Sequence, residues 1–352
     1  MKLKMQSDQE SIIESFLENS FGAPFLFILD KFNNGQEAAD LAWVNNSFSV
    51  VFFMTQSNKE ISYNIDHNLR QAIKFKNRWQ RNMAGFHLSG INRYQERREL
   101  KYTEAKKIIY LSVISNECGI SLINQPSWNN REIYINIPDI LIRKLAEFGG
   151  TIIDMLNIIK IYFEEIKVEG ADEKQRFEML INFVDEYVSE AKQFMELKKI
   201  GSSGIDTDKM HMYLQSLKGA SQAPWKINDD PAMIACIFGD LSSFDFVSLT
   251  SFIATSISKC NPPTFSESIV GRINTVHRNF VVAVISFSDM ASAGKAIEKA
   301  VELAAEDATV FVFGDMHGIN DYNYPMMMFL ADNQSMSHAD KCFENIRSLY
   351  TN

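Results

Sequence analysis

The spacing of apolar positions divides this chain into three stretches. Up to residue 137, short apolar runs typical of strands are interspersed with amphipathic helical patterns, and from 138 to 218 the helical period of 3.6 residues prevails. From 232 to 352, strand patterns alternate with helix patterns, which favours a layered α/β unit with a mostly parallel sheet. The pattern therefore predicts an α/β protein with a mixed sheet flanked by helices in 1–137, a helical hairpin or connector in 138–218, and a three-layer α/β unit in 232–352.

Capping and turn signals give the individual elements. The box Ser7-Asp-Gln-Glu10 opens the first helix, and Gly149-Gly150 forms a joint between two helices of the middle stretch. The loop 218–231 is the best candidate for a domain boundary. Helices are predicted near 8–20, 66–84, 139–149, 151–168, 241–258, 291–305 and 337–349, with another that opens at Asp172. Strands are predicted near 24–29, 41–44, 48–55, 106–115, 132–137, 232–238, 279–287 and 309–313, followed by an apolar run at 324–330.

In the helix that opens at Asp172, apolar residues recur with the alternating three- and four-residue spacing of a heptad seam. The seam consists of Phe177, Leu180, Val184, Tyr187, Ala191 and Phe194. Because fewer than three full heptads are present, packing inside a helical hairpin is the favoured interpretation. A homodimer formed through helix 177–194 is the alternative.

Composition narrows the class of protein. Hydrophobic residues make up 46% and charged residues 22% of the 352 residues, which is ordinary for a globular chain long enough for two domains. The four cysteines show no CxxC spacing, which disfavours a zinc cluster or a disulfide framework and fits a reducing compartment. The sequence shows neither the apolar core of a signal peptide nor a run of about 18 apolar residues, so we expect a cytoplasmic protein that does not span a membrane.

The net charge of −9 argues against a general affinity for nucleic acid, but the charge is unevenly distributed. Between residues 66 and 107, 11 Lys and Arg residues stand against 4 acids, with aromatic residues among them. The aromatic residues are Phe75, Trp79, Phe86, Tyr94 and Tyr102. Phosphates require cations, and single strands add stacking on aromatic rings. The candidate nucleic-acid-binding residues are Arg70, Lys74, Lys76, Arg78 and Arg81. The alternative is a solvated helix face whose aromatic residues lie in the core.

A second candidate site combines acids, two strands and a helix. Glu37-Ala-Ala-Asp40 precedes two apolar strands, and a basic helix with Gln71 follows them. This order resembles the PD-(D/E)XK nuclease superfamily, in which Glu-x-x-Asp is followed by two hydrophobic strands, a carboxylate or glutamine with a lysine two residues later, and a helix that carries glutamine. The resemblance covers roughly the first third of the chain, with a weaker similarity over 139–162, and it implies a nuclease-like domain in 1–137.

The resemblance implies a role for each matching residue. Asp40 would be the central Mg²⁺ ligand, Glu37 or an acid of the first helix would assist it, and Gln71 would hold the site or the substrate backbone. Mg²⁺ takes hard oxygen ligands and activates a water for attack at phosphorus, while a nearby lysine offsets the charge that develops. Glu37, Asp40 and Gln71 are therefore the candidate catalytic residues, and Mg²⁺ is the candidate cofactor.

Two positions depart from the pattern of that superfamily. Counted from Glu37, the second acid should fall at residue 53 and the lysine at residue 55, but Phe53 and Thr55 occupy them. A phenylalanine removes a ligand and excludes water, so the catalytic set is degenerate and metal affinity should fall. A lysine contributed by the helix, such as Lys74, could restore the site. Alternatively, the two acids of the motif are solvated residues at a strand entrance that accept hydrogen bonds from turn amides.

Three predicted C-terminal strands are followed by aspartates, namely Asp240, Asp289 and Asp315. If these strands are parallel, the three carboxylates gather at the edge where open α/β sheets bind ligands, and they could hold Mg²⁺ for phosphoryl chemistry. The competing interpretation is that the aspartates are helix N-caps, which is a common role for Asp after a strand.

The leading hypothesis is a nucleic-acid-binding protein with a degenerate, inactive nuclease-like domain, such as a subunit of a bacterial system that acts on foreign DNA. That biological context rests on analogy with the superfamily alone. The alternatives are a Mg²⁺-dependent nuclease or phosphohydrolase, and a non-catalytic dimeric interaction protein.

Overall fold

The computed structural model describes fifteen parts of the chain. They are residues 8–17, 25–31, 35, 38–44, 48–81, 88–92, 97–166, 171–201, 239–259, 268–274, 279–286, 290–304, 308–315, 326–332 and 338–349. The chain divides into two compact units. The first unit comprises the described residues of Met1–Ser189, Ser221–Asp240 and Ala339–Asn352, and the second comprises those of Glu190–Ala220 and Leu241–His338.

The elements alternate between strands and helices, as the α/β pattern predicts. The strands are β1 (Leu26–Leu29), β2 (Leu41–Val44), β3 (Ser49–Thr55), β4 (Leu88–Ile91), β5 (Arg97–Leu100), β6 (Ile108–Ile114), β7 (Ser121–Leu122), β8 (Glu132–Pro138), β9 (Ile269–Asn274), β10 (Asn279–Ser286), β11 (Thr309–Asp315) and β12 (Met326–Asp332). The helices are α1 (Asp8–Leu17), α2 (Ile61–Gln80), α3 (Asp139–Phe148), α4 (Ile152–Ile161), α5 (Glu173–Gly201), α6 (Ser243–Lys259), α7 (Met290–Ala304) and α8 (His338–Ser348), and a π-helical turn covers Tyr162–Ile166.

The first unit contains an eight-stranded mixed sheet flanked by helices. Its strand order is β5-β4-β1-β2-β3-β6-β8-β7. Strands β1, β2 and β3 are joined antiparallel, whereas β3, β6 and β8 run parallel as neighbours. Every residue of β6 and β8 is buried, including the polar Ser112, Glu132 and Asn136. Burial on both faces is why both strands are mostly apolar and show no regular alternation with solvent-facing polar residues.

Helix α2 covers one face of this sheet with an inner face of regular spacing. Asn64, Asn68, Ala72, Phe75 and Trp79 recur every three or four residues, and all of them are buried. The ring of Phe75 lies 6.0 Å from that of Phe53 on β3, and the Trp79 Nε1–H donates to the carbonyl of Leu100 at 2.9 Å. The opposite face of the helix is therefore held toward solvent.

The joint predicted at Gly149-Gly150 separates α3 from α4. Gly149 ends α3 in the left-handed region with a φ of 80°, which glycine adopts without steric cost. Thr151 and Asp154 then form a capping box at the start of α4. Within 138–218, for which the sequence predicts a helical hairpin or connector, the described residues up to Ser189 fall in the first unit and those from Glu190 in the second.

The heptad seam of α5 is occupied within the chain. Leu180 and Val184 have no exposed surface, and the hydroxyl of Tyr187 donates to Oδ1 of Asp154 at 2.6 Å. The favoured interpretation, packing inside the chain, therefore accounts for these seam residues. A homodimer through helix 177–194 would need exposed apolar side chains on that helix, and neither Leu180 nor Val184 is exposed.

The second unit is a three-layer arrangement around a four-stranded sheet with the order β12-β11-β10-β9. Alternate residues of β10 face α7, including Val281 and Ala283, while Phe252 of α6 contacts Gly271 on the other face. The expectation of a mostly parallel sheet is wrong here, because only β10 and β11 are parallel and both edge pairs are antiparallel. The predicted strand at 232–238 lies outside the described residues.

Among the described residues, no helix combines the length and the apolar character that a bilayer crossing requires.

Candidate functional site

Four of the five predicted nucleic-acid-binding residues share the outward face of α2 and its last turn. Arg70, Lys74 and Arg81 are exposed and Arg78 is half-buried. At about 100° per residue, the four side chains fall within an arc of about 80° that extends about 16 Å along the helix. We call this set the cationic stripe. Cations that share a helix face at these spacings can contact successive charges of one polyanion.

Lys76, the fifth predicted residue, is not part of the cationic stripe. It points to the opposite side of α2, where its side chain is 1% exposed and its Nζ lies 2.7 Å from Oε2 of Glu132. A lysine in a buried ion pair is not available to phosphate, so the expectation for Lys76 is corrected. The reason is angular, because Lys76 lies six residues after Arg70 and therefore about 240° around the helix.

Most of the aromatic residues predicted to interleave with the cations belong to the core. Phe75, Trp79 and Tyr102 are 1%, 1% and 7% exposed, so they pack the first unit instead of offering free rings. Phe86 and Tyr94 lie outside the described residues. For these three described rings, the alternative interpretation therefore applies, in which the aromatic residues lie in the core and the cations form a solvated helix face.

Instead, an exposed aromatic residue that the sequence argument missed continues the cationic stripe toward the start of α2. Tyr63 is 42% exposed, and its ring stacks on that of His67 with centroids 6.3 Å apart and an interplanar angle of 13°. The ammonium of Lys59 lies 3.8 Å from the centre of the Tyr63 ring. A side-chain hydrogen bond and the charge of Lys59 lower the pKa of Tyr63, with a smaller effect from Arg70. Counting back from Arg70 in steps of three and four would have placed Tyr63 and His67 on this face.

Asp40 lies directly before β2 and beside the end of β3. Its Oδ2 accepts a hydrogen bond from the backbone amide of Met54 at 2.6 Å, and its own amide donates to the carbonyl of Phe52 at 3.1 Å. This geometry matches the alternative in which the acid satisfies backbone amides at a strand entrance. Glu37 lies outside the described residues.

The two departures from the superfamily pattern are both built into the structure. Phe53 is 1% exposed, and its ring packs against those of Phe75 and Tyr110 at centroid distances of 6.0 and 6.5 Å. The hydroxyl of Thr55 donates to Oδ1 of Asn68 on α2. Residue 53 is thus a core position, and residue 55 belongs to a contact between strand and helix.

Asn68, rather than Gln71, is the amide of α2 that reaches the end of β3. Its Nδ2 donates to the carbonyl of Phe53 at 3.1 Å and to Oγ of Ser112 on β6 at 2.9 Å. Gln71 lies three residues later and is exposed. The sequence carried a signal for Asn68, because it falls on the repeat of inward residues that includes Ala72.

The residues described at this strand end fit a Mg²⁺ ion poorly. Such a site usually takes several carboxylates and waters. Here the Asp40 carboxylate accepts from the Met54 amide, and the groups beside it that face α2 are the Thr55 hydroxyl, the Asn68 amide and the Ser112 hydroxyl. Throughout the described residues, no group of three or more His, Cys, Asp and Glu side chains is arranged to hold a metal ion. Lys74, the candidate for a displaced lysine, is exposed on the outward face of α2, away from the inward-facing Asn68.

The described residues include two of the three C-terminal aspartates, and these two belong to different units. Asp240 is 3% exposed and belongs to the first unit, whereas Asp315 ends β11 in the second, and Asp289 lies outside the described residues. The N-terminal cap of α6 is Ser242, whose Oγ donates to Oδ2 of Asp245 at 2.8 Å and accepts from the amide of Asp245 at 3.2 Å. A metal site at these aspartates therefore stays a prediction.

No family model, curated protein or solved structure matches this chain.

Proposed function

We propose that this protein binds nucleic acid through the cationic stripe of α2 and does not cleave it. The observation that carries the proposal is the common outward arc of Arg70, Lys74, Arg78 and Arg81 on a helix whose other face is fixed in the core. Residues 59–81 contain six Lys and Arg and only two acids, in a chain whose net charge is −9. A cationic surface on an acidic protein favours a local anionic ligand over nonspecific attraction.

The rigidity of α2 strengthens the case for a binding surface. The helix is attached to β3 and β6 by the amide of Asn68 and to β8 by the buried pair of Lys76 and Glu132. Because these contacts lie on the inner face, they fix the backbone from which the outer cations extend. A rigid backbone reduces the conformational entropy that is lost when the cations bind phosphates.

The absence of cleavage rests on the residues at the end of β3. Phosphodiester hydrolysis with Mg²⁺ needs ligands that hold the ion and a group that offsets the developing charge. Residue 53 offers an aromatic ring, and residue 55 offers a hydroxyl that is bonded to Asn68. We therefore assign the affinity for nucleic acid to α2 and no catalytic role to Asp40.

The number of phosphate contacts is measurable from the salt dependence of binding. Fluorescence anisotropy with labelled oligonucleotides should give a plot of log K against log salt concentration with a slope near −3, since four contacts contribute about 0.7 to 0.9 each. Each single change of Arg70, Lys74, Arg78 or Arg81 to Gln should reduce the magnitude of the slope by roughly one. The fourfold variant should lose measurable binding at about 0.15 M salt.

A charge-matched control separates the cationic stripe from overall charge. Lys101 and Lys174 have side chains that are 62% and 80% exposed, and Lys106 and Lys192 are exposed as well. Changing these four lysines to Gln removes the same charge from residues outside α2 and should leave affinity and salt slope nearly unchanged. Equal losses in the two fourfold variants would contradict the proposal. Cleavage that depends on Mg²⁺ or Mn²⁺ and disappears in Asp40→Ala would instead establish an enzyme.

A further inference from the structure

A ring pair stands at one end of the cationic stripe, on the same face of α2. Tyr63 and His67 precede Arg70 by seven and three residues, which places both within the arc of about 80° that holds the four cations. Together the six residues extend over about 27 Å of the helix. The face therefore presents two rings followed by a row of positive charge.

The Tyr63 ring has no role in the core that would explain its position. It is 42% exposed, whereas the other aromatic residues of α2, Phe75 and Trp79, are each 1% exposed. Its orientation is nevertheless defined, because the ring of His67 stacks on it at 6.3 Å and the ammonium of Lys59 lies 3.8 Å from its centre. A base that stacks on the Tyr63 ring takes the place of the Lys59 ammonium over that ring, while the stacked His67 keeps the ring in position. Little further ordering of the ring is then needed.

We infer that the Tyr63–His67 pair stacks on an unpaired base, so that the ligand of this face is single-stranded nucleic acid. The inference rests on the proposed function, since the phosphates that follow that base would lie along Arg70 and Lys74. A single strand can offer the face of a base and its phosphates to one surface. In a duplex, the faces of internal bases are covered by their neighbours, so only the phosphate contacts would remain.

The magnitude of the preference follows from the stacking contribution. Removing one base–aromatic contact weakens single-strand binding by about fivefold or more. Because Tyr63 is only partly exposed, we expect a loss close to this lower bound. We therefore expect Tyr63→Leu to lose about five- to tenfold in affinity for single strands and to leave duplex affinity unchanged. Tyr63→Phe keeps the ring and should retain the single-strand affinity.

The experiment compares two probes on the full-length protein. One is an unstructured oligonucleotide of about 15 nucleotides, which is longer than the face of about 27 Å, and the other is a blunt hairpin duplex of the same composition. Anisotropy is measured for both probes with the wild type, Tyr63→Leu and Tyr63→Phe. A 2-aminopurine in the single strand reports stacking directly through its fluorescence, which should change with the wild type and with Tyr63→Phe but not with Tyr63→Leu. Unchanged circular dichroism confirms that α2 remains folded in each variant.

The outcomes distinguish the inference from the proposed function. Equal affinity for both probes, with the same loss for both in Tyr63→Leu, overturns the stacking role and leaves phosphate binding by the cationic stripe in place. Binding of neither probe overturns both proposals. Displacement of the single strand by polyglutamate at equal charge concentration would show a surface for any polyanion and would also overturn the inference.

Discussion

Lys76 and Glu132 form an ion pair inside the first unit, with Nζ of the lysine 2.7 Å from Oε2 of the glutamate and side chains that are 1% and 0% exposed. The hydroxyl of Tyr110 donates to Oε1 of Glu132 at 3.0 Å, and the backbone amide of Asn129 donates to Oε2 of Glu132 at 3.0 Å. On the other side, Nζ of Lys76 lies 4.6 Å from the centre of the Trp128 ring. Both charges are therefore compensated, and the pair attaches α2 to the start of β8.

Removing one member of this pair should destabilise the first unit strongly. Lys76→Met leaves the Glu132 carboxylate buried without its cation, which we expect to reduce the free energy of unfolding by about 3–5 kcal/mol. The double variant Lys76→Met, Glu132→Leu removes both charges together and should lose much less. Urea denaturation of the three proteins measures the difference, and a loss below about 1 kcal/mol in Lys76→Met would contradict a structural role for the pair.

The two amides of α2, Asn68 and Gln71, should respond very differently to substitution. Asn68→Ala removes the donor to the Phe53 carbonyl and to Ser112 and leaves buried polar groups without partners, which we expect to cost about 2–4 kcal/mol. Gln71→Ala, on the exposed side, should change stability by less than about 0.5 kcal/mol. Thermal denaturation of both variants checks the contrast. Comparable losses would indicate that Gln71 also has a structural partner.

The phenol of Tyr63 should ionise at lower pH than an ordinary tyrosine. Hydrogen bonding to Lys59 and the charge of Lys59 lower its pKa, and the charge of Arg70 adds to the effect. Lys59→Met should therefore shift the ionisation of Tyr63 to higher pH, and Arg70→Gln should shift it less in the same direction. The absorbance of the phenolate during an alkaline titration measures the pH at which each tyrosine ionises. The transition that disappears in Tyr63→Phe belongs to Tyr63.

The sign of the linked stability change follows from the lowered pKa. Because the folded chain releases the Tyr63 proton more readily than the unfolded chain, this group stabilises the fold only at alkaline pH, once the phenol is ionised. This contribution is lost as the pH falls through the lowered pKa of Tyr63, since the phenol is then protonated in both states. A Tyr63 transition that is unmoved in Lys59→Met would exclude Lys59 as the cause.

Local periodicity predicts a helix at 66–84, which overlaps α2 (Ile61–Gln80) but misses its first turn, where Tyr63 and Asn64 lie. It fails where the relevant partner is distant in the sequence. The repeat from Asn64 to Trp79 defines the inner face, and the cationic stripe follows from the same period. Charge counted along the chain places Lys76 among the nucleic-acid-binding residues, whereas its angular position around α2 puts it on the inner face. Its partner Glu132 lies 56 residues later, and no local pattern relates the two.

The strands missed by the sequence argument are short or polar and depend on long-range pairing. β5 reads Arg-Arg-Glu-Leu, and it lies at the edge of the sheet beside β4. β4 contains Gly90, where a Cβ atom would lie 2.5 Å from the carbonyl oxygen of Ile28, so glycine is required for β4 to pair with β1. In a strand of only four residues, a glycine looks like a turn signal as long as the neighbouring strand is not known.

Cys118 should be inert toward thiol reagents in the folded protein. It is 1% exposed, and burial raises its pKa to about 12, with smaller contributions from the charges of Glu173 and Asp139. At about pH 8 the folded chain therefore holds the thiol protonated, and iodoacetamide should not modify it without denaturant. Mass spectrometry of peptides from native and urea-treated samples measures the labelling, and equal labelling of Cys118 in both would contradict its burial.

The same pKa gives a pH dependence of stability that a substitution can isolate. Since the folded thiol titrates near 12 and an ordinary one near 9.0, the unfolded chain loses this proton first. The contribution of Cys118 to stability is then complete below about pH 9 and is lost as the pH rises from about 9 to about 12. Cys118→Ala, which lacks this group, should show a shallower alkaline loss of stability in urea unfolding than the wild type. Parallel curves for the two proteins would mean that the thiol ionises with a similar pKa in both states, and the buried position of Cys118 would then have no electrostatic consequence.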